Sequence, residues 1–181
     1  KTHTVEALCF QNKKKINGAL QFLTSIWNRR SNKIVKNKIK SFSPDIVHIH
    51  NWHFATGPLI IRGVKKQGIP LVLTLHNFRL ICPSGTLFNN NNIYLSSLNQ
   101  YFPWKSVKDR VYRNSILQTF WLACIIWTHK KIGTWKMIDR FICPSNFMID
   151  LFCNSTLKFN REQFLVKPNF SKIIRIITFR A

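Results

Sequence analysis

Ser43-Pro-Asp-Ile-Val-His-Ile-His-Asn51 and Gly68-Ile-Pro-Leu-Val-Leu-Thr-Leu-His-Asn77 decide the fold. Each contains a short aliphatic, β-branched run bounded by turn residues and ending on a His-Asn pair, which predicts a strand. Residues 46–50, after a turn at Ser43-Pro44-Asp45, read as one buried strand, and residues 71–75 read as a second. Between them Thr56-Gly57-Pro58 opens a helix, with Thr56 or Gly57 as cap and Pro58 in the first turn, where its missing N–H costs nothing. Lys65 and Lys66 suit the carbonyl end of the helix dipole. Gly68 can take the left-handed closing conformation, and Pro70 stops continuation. Strand, helix, strand predicts a βαβ unit with parallel strands and a right-handed crossover.

Upstream, residues 5–10 read as a further strand. Apolar residues from Ile16 to Ile39 recur at helical spacing, with breaks expected at Gly18 and at Arg29-Arg30-Ser31-Asn32. Downstream, residues 78–103 form a long irregular segment, of the kind usually tied to function. Residues 107–133 read as a long helix or a helix pair, apolar almost all round in its second half, so buried or laid against another domain or a membrane. Residues 140–143 are a third strand of the sheet. Pro144-Ser145-Asn146 starts a short helix reaching about Cys153, and residues 164–166 are the last strand. The alternation predicts an α/β, doubly wound domain.

The chain has 181 residues, which suits one domain. It carries 28 Lys+Arg against 6 Asp+Glu, a net charge of +22, yet 45% hydrophobic residues make it too apolar for a disordered basic tail. The scattered carboxylates offer no close pair for glycoside hydrolysis and no oxygen cage for calcium. Basic residues are dispersed, without a recognition-helix, zinc-finger or RNP pattern, which disfavours nucleic acid; an anionic lipid surface is the better match. Five cysteines (Cys9, Cys82, Cys124, Cys143, Cys153), odd in number and never in a CxxC pair, point to the cytosol. The longest apolar run, residues 120–127, falls short of the roughly 20 residues of a spanning helix. Lys1-Thr-His-Thr has neither an initiator Met nor a signal-peptide core, so the chain is read as clipped at its front.

In a parallel sheet, ligands bind beyond the carboxyl ends of the strands. His50, Asn51, His76 and Asn77 are therefore expected to converge on one rim. A rival reading takes His48-x-His50-x-x-His53 as zinc ligands, because a period-two HxH places both imidazoles on one strand face. Against it, His48 is expected to face the core or a covering helix, and no carboxylate is near to orient the rings; no metal site is assigned. Cys82 in its Ile81-Cys82-Pro83 setting lacks an oriented base and is not read as a nucleophile. No GxGxxG, GxxxxGK[ST] or nucleophile elbow occurs.

Both opening stretches, the second continued through Phe78-Arg-Leu-Ile-Cys-Pro83, resemble the N-terminal domain of family 4 glycosyltransferases of the GT-B fold. Arg110-Val-Tyr-Arg-Asn-Ser115, Gly133-Thr-Trp135, Asp139-Arg-Phe-Ile-Cys-Pro-Ser-Asn-Phe147 and Lys167-Pro-Asn169 are similar to that family as well. The resemblance implies a Rossmann-like, doubly wound, mainly parallel sheet forming one half of a GT-B architecture. Residues 1–170 would be that N-terminal domain, its first strand and Gly-rich loop preceding Lys1. Residues 171–181 would stand as a tail where the donor-binding domain is expected.

The resemblance further implies retaining transfer from a sugar nucleotide, with no catalytic metal or other cofactor, to a cell-surface glycan or lipid-linked acceptor. His76 would face the donor sugar. His50, Asn51, Asn77 and Arg79 would line the acceptor side, and Ser145, Pro168 and Asn169 the domain junction. The isolated chain is then expected to be inactive and cytoplasmic, or peripheral on the inner face of the membrane. Relatives often carry cysteines where Tyr94, Ser97 and Val111 stand, so the long loop is expected to lack their staple. The alternative is a basic α/β domain without catalysis that docks on anionic membrane through residues 107–136, or on nucleic acid.

Overall fold

A computed structural model describes residues 3–11, 15–52 and 54–168. His53 of the zinc reading, Asn169 of the junction and the 171–181 tail lie outside them. Helices α1 (Lys15–Thr24) and α2 (Arg29–Phe42) precede strand β1 (Val47–His50), helix α3 (Leu59–Lys65) and strand β2 (Leu71–Thr74). A short hairpin, β3 (Phe88–Asn89) and β4 (Asn92–Ile93), leads to helices α4 (Trp104–Lys108) and α5 (Ile116–Lys131). Strand β5 (Arg140–Cys143), helix α6 (Asn146–Cys153) and strand β6 (Phe164–Val166) complete the described chain.

The main sheet has the order β1-β2-β5-β6, and every pairing is parallel. One face is dry. Leu71, Leu73, Leu75, Phe141 and Cys143 are fully buried and share a single core with Ile61 and Val64 of α3, Leu122 and Ile125 of α5, and Phe152 of α6. This is an α/β, Rossmann-like parallel sheet, as expected, but the doubly wound form read from the strand–helix alternation is not completed among the described residues, whose helices lie on one face. The opposite face, carrying His48, His50, Thr74 and Leu165, is left open among the described residues. Strand β1 is thus half exposed rather than buried, because helices cover only one of its two faces.

Residues 5–10 form no strand. They run exposed along the surface, with Glu6 paired to Lys38, since no neighbouring strand offers a ladder. The break in the N-terminal helical region falls on a 3₁₀ turn, Ser25–Trp27, and not at Gly18, which lies inside α1. Asn28 builds that corner: its Oδ1 accepts the Ser31 N–H at 3.0 Å and its Nδ2 donates to Ala55 O at 3.0 Å. Gly57 sits at φ +64°, and a Cβ there would lie 2.4 Å from the Ser25 carbonyl oxygen, so only glycine closes this contact. Helix α3 starts at Leu59, one residue after Pro58.

The segment from 78 to 103 is packed rather than loose. Leu80, Ile81, Cys82, Leu87, Tyr94 and Leu98 all join the core, and Asn90 and Asn91 at positive φ turn the β3–β4 hairpin. Ser97 and Val111 are buried too. The apolar region that follows is a helix pair. The last turn of its second member, α5, carries His129, fully buried, with Nε2 2.8 Å from Ile26 O and Nδ1 3.0 Å from Thr134 Oγ1. The carbonyl can only accept, so Nε2 carries the proton and Nδ1 receives the threonine hydroxyl. Burial above all, together with the Arg62 charge, pushes the His129 pKa down to about 4.

Candidate functional site

The site grows out of the β1–β2 register. His48 lies opposite Val72 and His50 opposite Thr74, so the two strands end level with one another. At Asn51 the chain turns away with φ 58°, a conformation asparagine tolerates better than most residues, while its N–H still reaches Thr74 O at 3.0 Å. The Asn51 side chain accepts the Trp52 N–H at 3.0 Å and holds that turn. Strand β2 continues its ladder through Leu75, whose N–H donates to Ile142 O at 2.9 Å, and delivers His76 to the rim.

His50 and His76 meet there. Their rings stack with centroids 5.7 Å apart and 20° between planes, and His50 Nδ1 lies 3.5 Å from His76 Nε2. That separation is at the long limit for a hydrogen bond. His48 extends the row along the open sheet face, its ring 4.2 Å from that of His50 and its Nε2 2.7 Å from Thr74 Oγ1. Burial first, then the positive potential of His50, Lys167 and His76, holds the His48 pKa below its ordinary value. The row offers ring nitrogens to hydroxyl-rich ligands from an exposed ledge.

His48, expected to face the core or a covering helix, is exposed and does neither. The period-two spacing that links His48 to His50 puts both on the face no described helix covers. Among the described residues, no group of three or more His, Cys, Asp or Glu is arranged to hold a metal ion. Thr74 and Lys167 both fall in stretches that resemble the family, yet neither is singled out there as a site residue; only strand register reveals Thr74 beside His48.

Asn77 and Arg79 part company. The Asn77 Oδ1 accepts the Arg79 N–H at 3.0 Å, a side-chain turn that swings the chain inward. The Arg79 guanidinium is buried against Phe54 and Tyr112, 5.7 and 5.5 Å from their ring centres, and its Nε and Nη1 have no hydrogen-bond partner. Burial lowers its pKa, with Tyr112 opposing that shift. Arg79 therefore lies beneath the rim instead of lining it.

Ser145 follows β5 and caps α6, accepting the Met148 N–H at 3.3 Å. Pro168 is exposed just past β6, where the Lys167 N–H donates to Cys143 O at 2.8 Å. Parallel strands put both residues at the same end of the sheet as His50 and His76. The Cys82 sulfur is buried 3.2 Å from Ser84 Oγ. A groove of about 600 Å³ lies elsewhere, between residues 9–11 and the corner joining α1 and α2.

The sequence pattern of Glycosyltransferase Family 4 matches residues 13–170. A stretch of 44 residues is 36% identical to a glycogen synthase of Rhizobium rhizogenes, covering 24% of this chain and 9% of that enzyme. A stretch of 39 residues is 41% identical to glycogen synthase 1 of Rhizobium meliloti, covering 22% of this chain and 8% of that one. The matched part thus spans less than a tenth of either relative. No solved structure matches the chain at a significant level.

Proposed function

The chain belongs to glycosyltransferase family 4, and from that premise we propose that it is the acceptor-side domain of a retaining glycosyltransferase. It works with a donor-binding domain to move a sugar from a sugar nucleotide to a cell-surface glycan or lipid-linked acceptor, in polysaccharide biosynthesis. The observation that carries this reading is the stacking of His50 on His76 at the carboxyl ends of adjacent parallel strands. Such ends are where an open α/β sheet receives ligands, and sugars are bound chiefly through hydroxyls that need neutral donors and acceptors.

In this proposal His76 touches the donor sugar, and His50, Asn51 and Asn77 hold acceptor hydroxyls. Arg79 supports the ledge from below. Ser145, Pro168 and Asn169 stand at the junction with the second domain. Catalysis rests on positioning and on electrostatic stabilisation of the departing nucleotide phosphates, without a metal or other cofactor. The cations that meet those phosphates belong to the donor-binding domain, so the 181-residue chain by itself transfers no sugar.

The test is sugar transfer from a panel of sugar nucleotides, with the donor-binding domain supplied in the same polypeptide or in trans. Transfer that appears only with the second domain and falls with His76→Ala supports the proposal. Robust turnover by the chain alone, or transfer indifferent to His76, overturns it.

A further inference from the structure

Helix α5 is apolar on both sides, and only one side faces the core. Leu122, Ile125, Ile126 and His129 are buried inward. Leu117, Phe120, Cys124 and Trp127 follow the spacing of a single helical stripe on the other side. Leu117 is 80% exposed and Phe120 39%. The loop before α4 and its first residue extend this stripe: Phe102 lies 6.0 Å from Trp127 and 4.5 Å from Trp104, and Trp104 lies 6.1 Å from Phe120, ring centre to ring centre. Two stretches of chain, residues 102–104 and α5, thus contribute to one continuous aromatic surface. A folded chain rarely leaves such a patch in water without a partner.

The surrounding charge says which partner. Lys105 and Lys108 flank the patch on α4, Arg113 precedes α5, and Lys131 closes it, 5.1 Å above the Trp127 ring, whereas Lys130 is held inward by Thr156 Oγ1 at 2.6 Å. Between residues 101 and 137 the sole carboxylate is Asp109, whose Oδ2 accepts the Tyr94 hydroxyl at 2.9 Å. We propose that the outer face of α5, with Phe102 and Trp104, docks on the surface of an anionic lipid bilayer. Tryptophan and long basic side chains around an aliphatic stripe are what the water–lipid interface selects. Helix α5 has 16 residues, about 24 Å, and no helix among the described residues is long and apolar enough to cross a membrane, so it lies on the surface. Self-association through this face would bring together chains of net charge +22, and nucleic acid would leave Leu117 and Phe120 uncovered.

The proposal is independent of sugar transfer. The test is vesicle flotation of the full chain with phosphatidylcholine liposomes, with and without about 30 mol% phosphatidylglycerol. Binding to the anionic vesicles should exceed binding to the neutral ones by about tenfold or more and should fall as salt rises. Leu117→Ser with Phe120→Ser should lower it about tenfold while circular dichroism stays unchanged. Lys105→Gln with Lys108→Gln and Lys131→Gln should weaken the lipid-charge preference severalfold, a readout that stands even where the apolar variant misfolds. Equal binding to both vesicles, or none, overturns the proposal. So does a dimer, or binding to a DNA duplex, that the Leu117/Phe120 variant abolishes.

Discussion

His50 Nδ1 stands 3.5 Å from His76 Nε2 although the two residues end different strands. The contact exists because β1 and β2 pair in parallel with Val47 opposite Leu71, which makes the last residue of one strand and the exit of the other coincide. Neither imidazole is needed to fill the core, since both rings lie on the exposed rim.

His76→Ala should therefore separate activity from folding. In an assay that includes the donor-binding domain, turnover should fall by about a hundredfold or more, while the thermal midpoint moves by no more than a few degrees. A turnover within about twofold of the parent would remove His76 from the site.

His129 should make the fold acid-sensitive. Its pKa is near the ordinary histidine value of about 6.5 when unfolded and about 4 when folded. Between those values the unfolded chain binds the extra proton, so stability is full above about pH 6.5 and is lost as pH falls towards 4. The contribution is about 3 kcal/mol. Urea unfolding of the parent and of His129→Gln across that range should show a shallower pH slope in the variant. Parallel slopes would mean that another group carries the effect.

Arg79→Met should leave stability unchanged or raise it. The methionine keeps apolar contact with Phe54 and Tyr112 and removes a buried charge whose Nε and Nη1 lack partners. Arg79→Ala should cost about 2 kcal/mol or more, because it leaves a void between the two rings. A methionine variant destabilised beyond about 1 kcal/mol would show that the guanidinium itself is required.

Two glycines should respond differently to alanine. At Gly57 the new Cβ meets the Ser25 backbone oxygen at 2.4 Å and φ is +64°, so the cost should be about 2 kcal/mol or more. At Gly63 the Cβ would meet the Asn32 side-chain oxygen, which can rotate away, and the cost should be smaller. Reversed midpoints in chemical denaturation would contradict this account of the α2–α3 corner.

Strands β2, β5 and β6 and helix α6 were legible because each is a compact apolar run between turn residues, and such runs form much the same element in any α/β setting. The strand read at residues 5–10 was not legible, since a strand exists only where another offers it a ladder. His50 and His76 were readable as rim residues from their position after aliphatic runs. The inward turn of Arg79 was not: the residues that bury it, Phe54 and Tyr112, come from distant parts of the chain. His129 gave no signal either, because its partner Ile26 is 103 residues away.

From its residue order alone the chain specified alternating strands and helices, a parallel sheet, its likeness to a glycosyltransferase family, and the end of the sheet that carries the imidazoles. Those features follow from local spacing and turn chemistry, which act over a few residues. The tertiary structure decided which sheet face the helices cover, hence that His48 joins His50 in the open, that Arg79 is buried and that α5 keeps an apolar face outward. Side-chain exposure is set by neighbours distant in sequence, and only the packed chain brings those neighbours together.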